Sequence, residues 1–170
     1  MEPSTPVPDY SAAIAGARAW RLAPNLMAKM HGYLWSHAML KVWPNGKEMA
    51  AECDAGHPAP ARGCSCGVYA WLDPARMHAN GYAPGSHAYI SGVVAGAGRV
   101  IRGHVGYWVA ERAVVLAFFN DPYPSPVREV MPGTGIYLPT KADAAKSYGV
   151  PIIEYDDYAD FCDDYGLIRF

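Results

Sequence analysis

Residues 88–119 carry the clearest pattern of apolar and polar positions. Tyr89, Ser91, Val93 and Ala95 alternate with Ile90, Gly92, Val94 and Gly96. Such β-branched content predicts a strand, and its glycines allow close approach or curvature. Stretches 99–102 and 107–119 follow, set apart by Gly103 and Gly106. The block therefore predicts three antiparallel strands, a meander or partial barrel, with Val93, Val100, Val115 and Phe118 in the core. Residues 17–22 partly alternate apolar and charged, as a half-exposed strand does, and Pro24 ends them. Shorter strands are expected at 26–30, 33–42 and 49–53, around turns at Gly32 and Pro44-Asn45-Gly46.

Helical spacing appears in three places. Val68, Trp71 and Leu72 share a face at i, i+3, i+4, so 67–78 reads as a helix interrupted at Pro74. Thr140 with Asp143 resembles a capping box ahead of a helix over 141–148, which Gly149 stops, with Pro151 just beyond. A short strand at 150–153 follows. Residues 156–165 read as a last helix ended by Gly166, with Tyr155, Tyr158, Cys162 and Tyr165 as its apolar stripe. Residues 1–12 read as a flexible proline-rich leader and 120–132 as a loop. The expected architecture is one globular domain over 13–170. It is α+β, a curved antiparallel sheet with a metal-stapled loop and C-terminal helices.

The strongest chemical signal lies in a turn-rich stretch. Cys53, His57, Cys64 and Cys66 fall within 14 residues, and three of the chain's four cysteines are among them. Thiolates and imidazole are the donors zinc prefers, and a structural zinc site takes four in a tetrahedron. Gly56, Pro58, Pro60 and Gly63 permit the folding back that would gather them. A C-x3-H-x6-C-x-C spacing is not a common zinc-finger spacing. Two other readings stay open: a redox or disulfide role for Cys64 and Cys66, and cysteines that act as small buried hydrophobes.

Composition narrows the rest. The chain is 51% hydrophobic and 18% charged, which argues for a folded globule. A formal charge of −2 gives no general attraction to nucleic acid or anionic membrane. The charge is nevertheless polarised: residues 1–119 carry ten Lys/Arg against seven Asp/Glu, and 120–170 carry four against nine. The first eleven residues lack the apolar core of a signal peptide. The longest apolar run, 113–119, falls far short of the ~20 residues that span a bilayer. A cytoplasmic, reducing location is therefore expected, and it favours metal ligation over disulfides.

Other constellations are weaker. Asp156, Asp157, Asp160, Asp163 and Asp164 lack EF-hand ligand spacing. Asp163 and Asp164 sit where a helix C-terminus disfavours negative charge, which marks Asp157, Asp160 and Asp164 as candidate contacts for a basic partner. His31, His37, His78, His87 and His104 form no H-E-x-x-H pair, and no G-x-S-x-G elbow, dinucleotide fingerprint or Walker loop is present.

The pieces resemble a group of uncharacterised actinobacterial and actinobacteriophage proteins over roughly residues 17–155. The similarity rests on Arg18-Ala19-Trp20-Arg21, on Ala51-x-Cys53…His57-x-x-Pro60…Cys64-x-Cys66-Gly67-Val68-Tyr69-Ala70, and on Gly98-Arg99-Val100-Ile101, His104, Gly106-Tyr107 and Ala110-Glu111. Tyr148-Gly149-Val150-Pro151 extends it. Trp108-Val109 departs from the group, which tends to have a single basic residue there. The resemblance implies that the four candidate ligands belong to one constellation, in a phage or bacterial setting, and implies no activity.

These features favour a non-enzymatic zinc-stapled binding module that recognises a protein partner. One alternative is an enzyme or small-ligand binder with a sheet-lined pocket at Arg99, His104 and Glu111. Another is weak nucleic-acid binding through the positive N-terminal part.

Overall fold

The computed structural model describes residues 13–24, 28, 34–36, 41–46, 48–83, 89–120, 129–137 and 139–170. The expected leader at 1–12 and most of the loop expected at 120–132 lie outside them. So does most of the strand expected at 26–30, and Ala28, which is described, is helical.

The strands in chain order are β1 (Ile14–Leu22), β2 (Leu34–Trp35), β3 (Val42–Trp43), β4 (Met49–Ala50), β5 (Val68–Trp71), β6 (Tyr89–Arg102), β7 (Tyr107–Phe119), β8 (Glu129–Met131), β9 (Ile136–Tyr137) and β10 (Ile152–Ile153). The helices are α1 (Pro74–Met77), α2 (Lys141–Tyr148) and α3 (Tyr158–Asp164). Eight strands form one sheet, antiparallel except where β10 runs parallel to β7, and β8 pairs with β9 apart from it. The hairpin β6–β7 is its spine. β1 pairs with β6 from Ile14 opposite Gly96 to Arg21 opposite Tyr89, and β5 pairs with β7 from Val68–Ala110 to Trp71–Tyr107. A single pair, Ala17 with Trp71, brings β5 back to β1. The sheet thus curls part of the way into a ring without becoming a barrel.

Several expectations change. The block at 88–119 holds two long strands, not three. Gly98 and Arg99 form a bulge in β6, and the carboxylate of Glu111 accepts the Arg99 backbone N–H at 3.0 Å across it. The helix expected from residue 67 begins only at Pro74. Residues Val68–Trp71 all pair with β7 and Trp71 also pairs with β1, and those ladder bonds outweigh a helical periodicity that rests on three residues. Residues Glu129–Met131, expected as loop, form a strand with Ile136–Tyr137.

Both faces of the sheet are covered. Trp20, Leu34, Trp43, Ile90, Val94, Val115 and Phe118 make one core with Ala144, Ala145 and Tyr148 of α2. Alanines 13, 15, 17 and 19 make the other with Val93, Phe119, Met77 of α1, and Tyr158 and Cys162 of α3. Strand β1 is therefore buried on both sides, not half-exposed. Val93, Val115 and Phe118 lie in the core as expected, and Val100 is partly buried against it. Trp108 occupies a slot that only hydrogen atoms could leave open. A Cβ on Gly16 would lie 2.7 Å from its ring and one on Gly96 2.6 Å away. Its Nε1 donates to the Ala15 carbonyl at 2.9 Å.

The capping box of α2 is formed, with the Asp143 N–H donating to Thr140 Oγ1 at 3.1 Å and the Thr140 N–H to Asp143 Oδ2 at 2.9 Å. Gly149 closes the helix in the left-handed conformation. Of the stripe expected on the last helix, Tyr158 and Cys162 are buried, whereas Tyr165 is exposed. No helix among the described residues is long and apolar enough to cross a membrane.

Candidate metal centre

The register along β7 explains where the Cys/His loop sits. Met49 and Ala50 pair with Ala113 and Arg112, and the Ala51 N–H donates to the Glu111 carbonyl at 2.7 Å. Val68 takes up the same edge at Ala110. The chain thus leaves β7 after Ala51 and rejoins it one residue further along, so 52–67 is an excursion with adjoining ends. Turns shape it: Gly56 N–H donates to the Cys53 carbonyl at 2.9 Å and Cys64 N–H to the Ala61 carbonyl at 3.2 Å. The Ala59–Pro60 peptide is cis. Arg99 reaches across from the β6 bulge to the Pro60 carbonyl at 3.5 Å. Gly67 closes the excursion with φ of +126°, and a Cβ there would lie 2.2 Å from Val109 Cγ1. No other residue type satisfies both conditions without strain.

The excursion gathers Cys53, His57, Cys64 and Cys66, whose donor atoms all lie within 4.8 Å of one another, close enough to hold one metal ion. Cys53 Sγ lies 3.7 Å from Cys64 Sγ and 3.3 Å from His57 Nε2. A tetrahedral ion with bonds of about 2.3 Å to sulfur and about 2.0–2.1 Å to nitrogen sets S–S near ~3.8 Å and S–N near ~3.5 Å. The four cysteines are free thiols. His57 Nδ1 lies 3.2 Å from the Pro58 carbonyl, which can only accept. That contact places the ring proton on Nδ1 and leaves Nε2 as the lone-pair donor, the usual arrangement behind a metal-bound imidazole.

The site's protonation suits a ligand set that ionises on binding. The Cys64 thiol is brought down to about 7, first by the Cys66 backbone N–H that it accepts and then by the Cys66 and Cys53 side chains. Burial pushes the Cys66 thiol up. His57 is raised by its bond to the Pro58 carbonyl and then by Cys64. An ion would displace protons from these groups, so its affinity weakens as the pH is lowered. Cys162 is no competitor. It lies in the core beneath α3, and burial pushes its thiol up to about 11.

The other sequence-derived residues are dispersed. His104 is exposed at the β6–β7 turn, in a shallow depression with Arg76 and Arg102. Glu111 is absent from that depression and serves the bulge, so the structure does not bring His104 and Glu111 into one pocket. Asp157, Asp160 and Asp164 are exposed. Asp163 pairs with Arg169 at 3.0 Å, which relieves part of the unfavourable charge at the end of α3.

A cleft of about 520 Å³ beside the metal loop was not foreseen. Arg18, Trp43, Tyr69, Trp71 and Tyr107 line it, and Ser65, Cys66 and Gly67 of the loop form part of its wall. Its sequence signal was the even parity that Arg18 shares with Trp20 and Leu22 in a strand whose odd positions through residue 19 are alanine. Comparison with known proteins finds no matching family model, no matching curated protein and no matching solved structure.

Proposed function

We propose that the chain is a non-catalytic binding module whose 53–66 loop is stapled by one zinc ion. The observation that carries this reading is the convergence of three thiols and one imidazole, with donor atoms within 4.8 Å of one another, in an excursion closed at both ends by β7. Four protein donors fill the tetrahedron, so the ion has no open position for activating water and acts structurally. It holds the loop against β5 and β7, where the loop completes one wall of the cleft. Recognition of a basic protein partner through Asp157, Asp160 and Asp164 is supported by their exposure. In that reading, changing Asp160 and Asp164 to Asn slows association and weakens its salt dependence.

Chelator titration followed by thermal denaturation tests the staple. Metal-binding free energy is in part folding free energy, so EDTA and Cys64→Ser should each lower the melting temperature, and added zinc should restore only the chelated wild type. Unchanged melting in both cases would overturn the staple.

A further inference from the structure

Strand β1 carries one charged residue, Arg18, among its core-facing even positions. Ile14, Trp20 and Leu22 point into the core under α2, and alanines 13, 15, 17 and 19 point to the opposite face. Arg18 shares the first parity and so turns a cation toward an apolar layer. Its side chain is half-buried, and no carboxylate among the described residues pairs with it. One Nη donates to the Tyr69 carbonyl and the other to Ser36 Oγ at 3.1 Å, while the group lies 5.0 Å over the Trp43 ring. Nε is buried with no partner. Burial lowers its pKa to about 10, so it remains positive at neutral pH. Ser36 is itself fixed, accepting from Trp43 Nε1 at 2.9 Å.

An uncompensated half-buried cation is costly, and a folded chain tolerates it where an anion completes it. Arg18 also lines the cleft, whose volume lies within the usual range for small-molecule sites. The wall beside it is aromatic: Tyr69 and Tyr107 have ring centres 5.7 Å apart, and Trp71 stands edge-on to Tyr107 at 6.2 Å. Lys41 adds a second positive group, against one exposed carboxylate, Glu52. A lone guanidinium whose two Nη atoms each spend one N–H on Tyr69 and Ser36 keeps one N–H on each, a pair that suits a planar monoanion better than a phosphate dianion, which asks for more donors. We propose that this cleft binds a small organic carboxylate with a flat apolar body, its headgroup received by Arg18 and its body laid against Tyr69, Tyr107 and Trp71. This goes beyond the zinc-stapled reading, and the loop contributes only wall.

The test is tryptophan-fluorescence titration of the full chain, with zinc content measured on the same sample, using 2-naphthoate, the neutral 2-naphthamide and 2-naphthyl phosphate. Trp43 and Trp71 lie in the cleft and report occupancy. The expected result is naphthoate binding about tenfold or more tighter than the amide, a difference that a charge-assisted hydrogen bond supplies. Arg18→Met should bring the two within twofold and leave zinc content unchanged, because it removes the cation while keeping an apolar side chain of similar length. If that variant does not fold, nitrogen-15 spectra of the wild type decide. The Arg18 Nε–H resonance should move with naphthoate and not with the amide. Equal affinity for acid and amide, tighter binding of the phosphate, or no binding of naphthoate at millimolar concentration overturns the proposal. A zinc-loaded protein without acid preference refutes this inference alone, whereas a zinc-free protein with the preference refutes the staple alone.

Discussion

The slot around Trp108 allows a double-mutant cycle whose sign is fixed by geometry. Gly96→Ala adds a methyl group 2.6 Å from Cη2 and 2.7 Å from Cζ3 of that indole, and 3.1 Å from Ile14 Cγ2. The backbone at Gly96 is ordinary for an L residue, so only space opposes the change. Overpacking of this kind costs about 1–3 kcal/mol. Trp108→Phe removes the outer edge of the indole that the methyl would strike. It also removes the 2.9 Å bond from Nε1 and leaves the buried Ala15 carbonyl short of a donor, which costs about 1–3 kcal/mol, with a cavity added. In the double variant the methyl enters the space the indole vacated. The two costs should therefore fall short of their sum by about 1–2 kcal/mol, well beyond the ~0.3–0.5 kcal/mol scatter of independent sites. Urea denaturation followed by circular dichroism measures all four corners, and the slopes show whether the denatured state is constant. Additive costs would mean that Gly96 and Trp108 are not in contact, and the packing argument would fail.

Three further outcomes follow from the fold. Gly67→Ala forces a side chain into left-handed backbone and against Val109, so it should cost about 2–5 kcal/mol from strain plus overpacking and lower the melting temperature by about 2–4 °C per kcal/mol. Thr140→Ala should cost about 0.5–2 kcal/mol in urea titration at neutral pH. The Thr140 backbone N–H, then its hydroxyl, hold the Asp143 carboxyl below its usual range, so that carboxylate stabilises the fold above its unfolded pKa and the contribution is lost as pH falls through the folded one. A smaller effect of Thr140→Ala at acid pH than at neutral pH checks the sign. Asp160→Asn with Asp164→Asn should leave melting within about 0.5 kcal/mol of wild type, since both side chains are exposed.

Much of this organisation was legible because it is local. The Thr140–Asp143 box, the Gly149 stop and the Tyr107–Phe119 strand follow from neighbouring residues, and all appear. The four candidate ligands were legible because one short loop holds them. What was hidden depends on partners distant in sequence. Val68–Trp71 has spacing that suits a helix, and it becomes a strand because β7 and β1 offer ladder bonds to it. Gly98 and Arg99 looked like a break and form a bulge because Glu111, twelve residues on from Arg99, accepts across it. Arg18 looked solvent-facing because charge usually marks the wet side of a strand. Only the return of β5 to β1 and the placing of Ser36 and Trp43 enclose it. The pocket expected at His104 and Glu111 did not form because turn and bulge lie at different heights on the same hairpin.

X-ray absorption at the zinc edge, on protein purified without added metal, decides whether zinc staples the 53–66 loop. The account predicts one zinc per chain, with three sulfurs at about 2.3 Å and one nitrogen at about 2.0–2.1 Å, and one sulfur fewer in Cys64→Ser. A folded protein that carries no zinc, or a zinc shell dominated by oxygen, would contradict it.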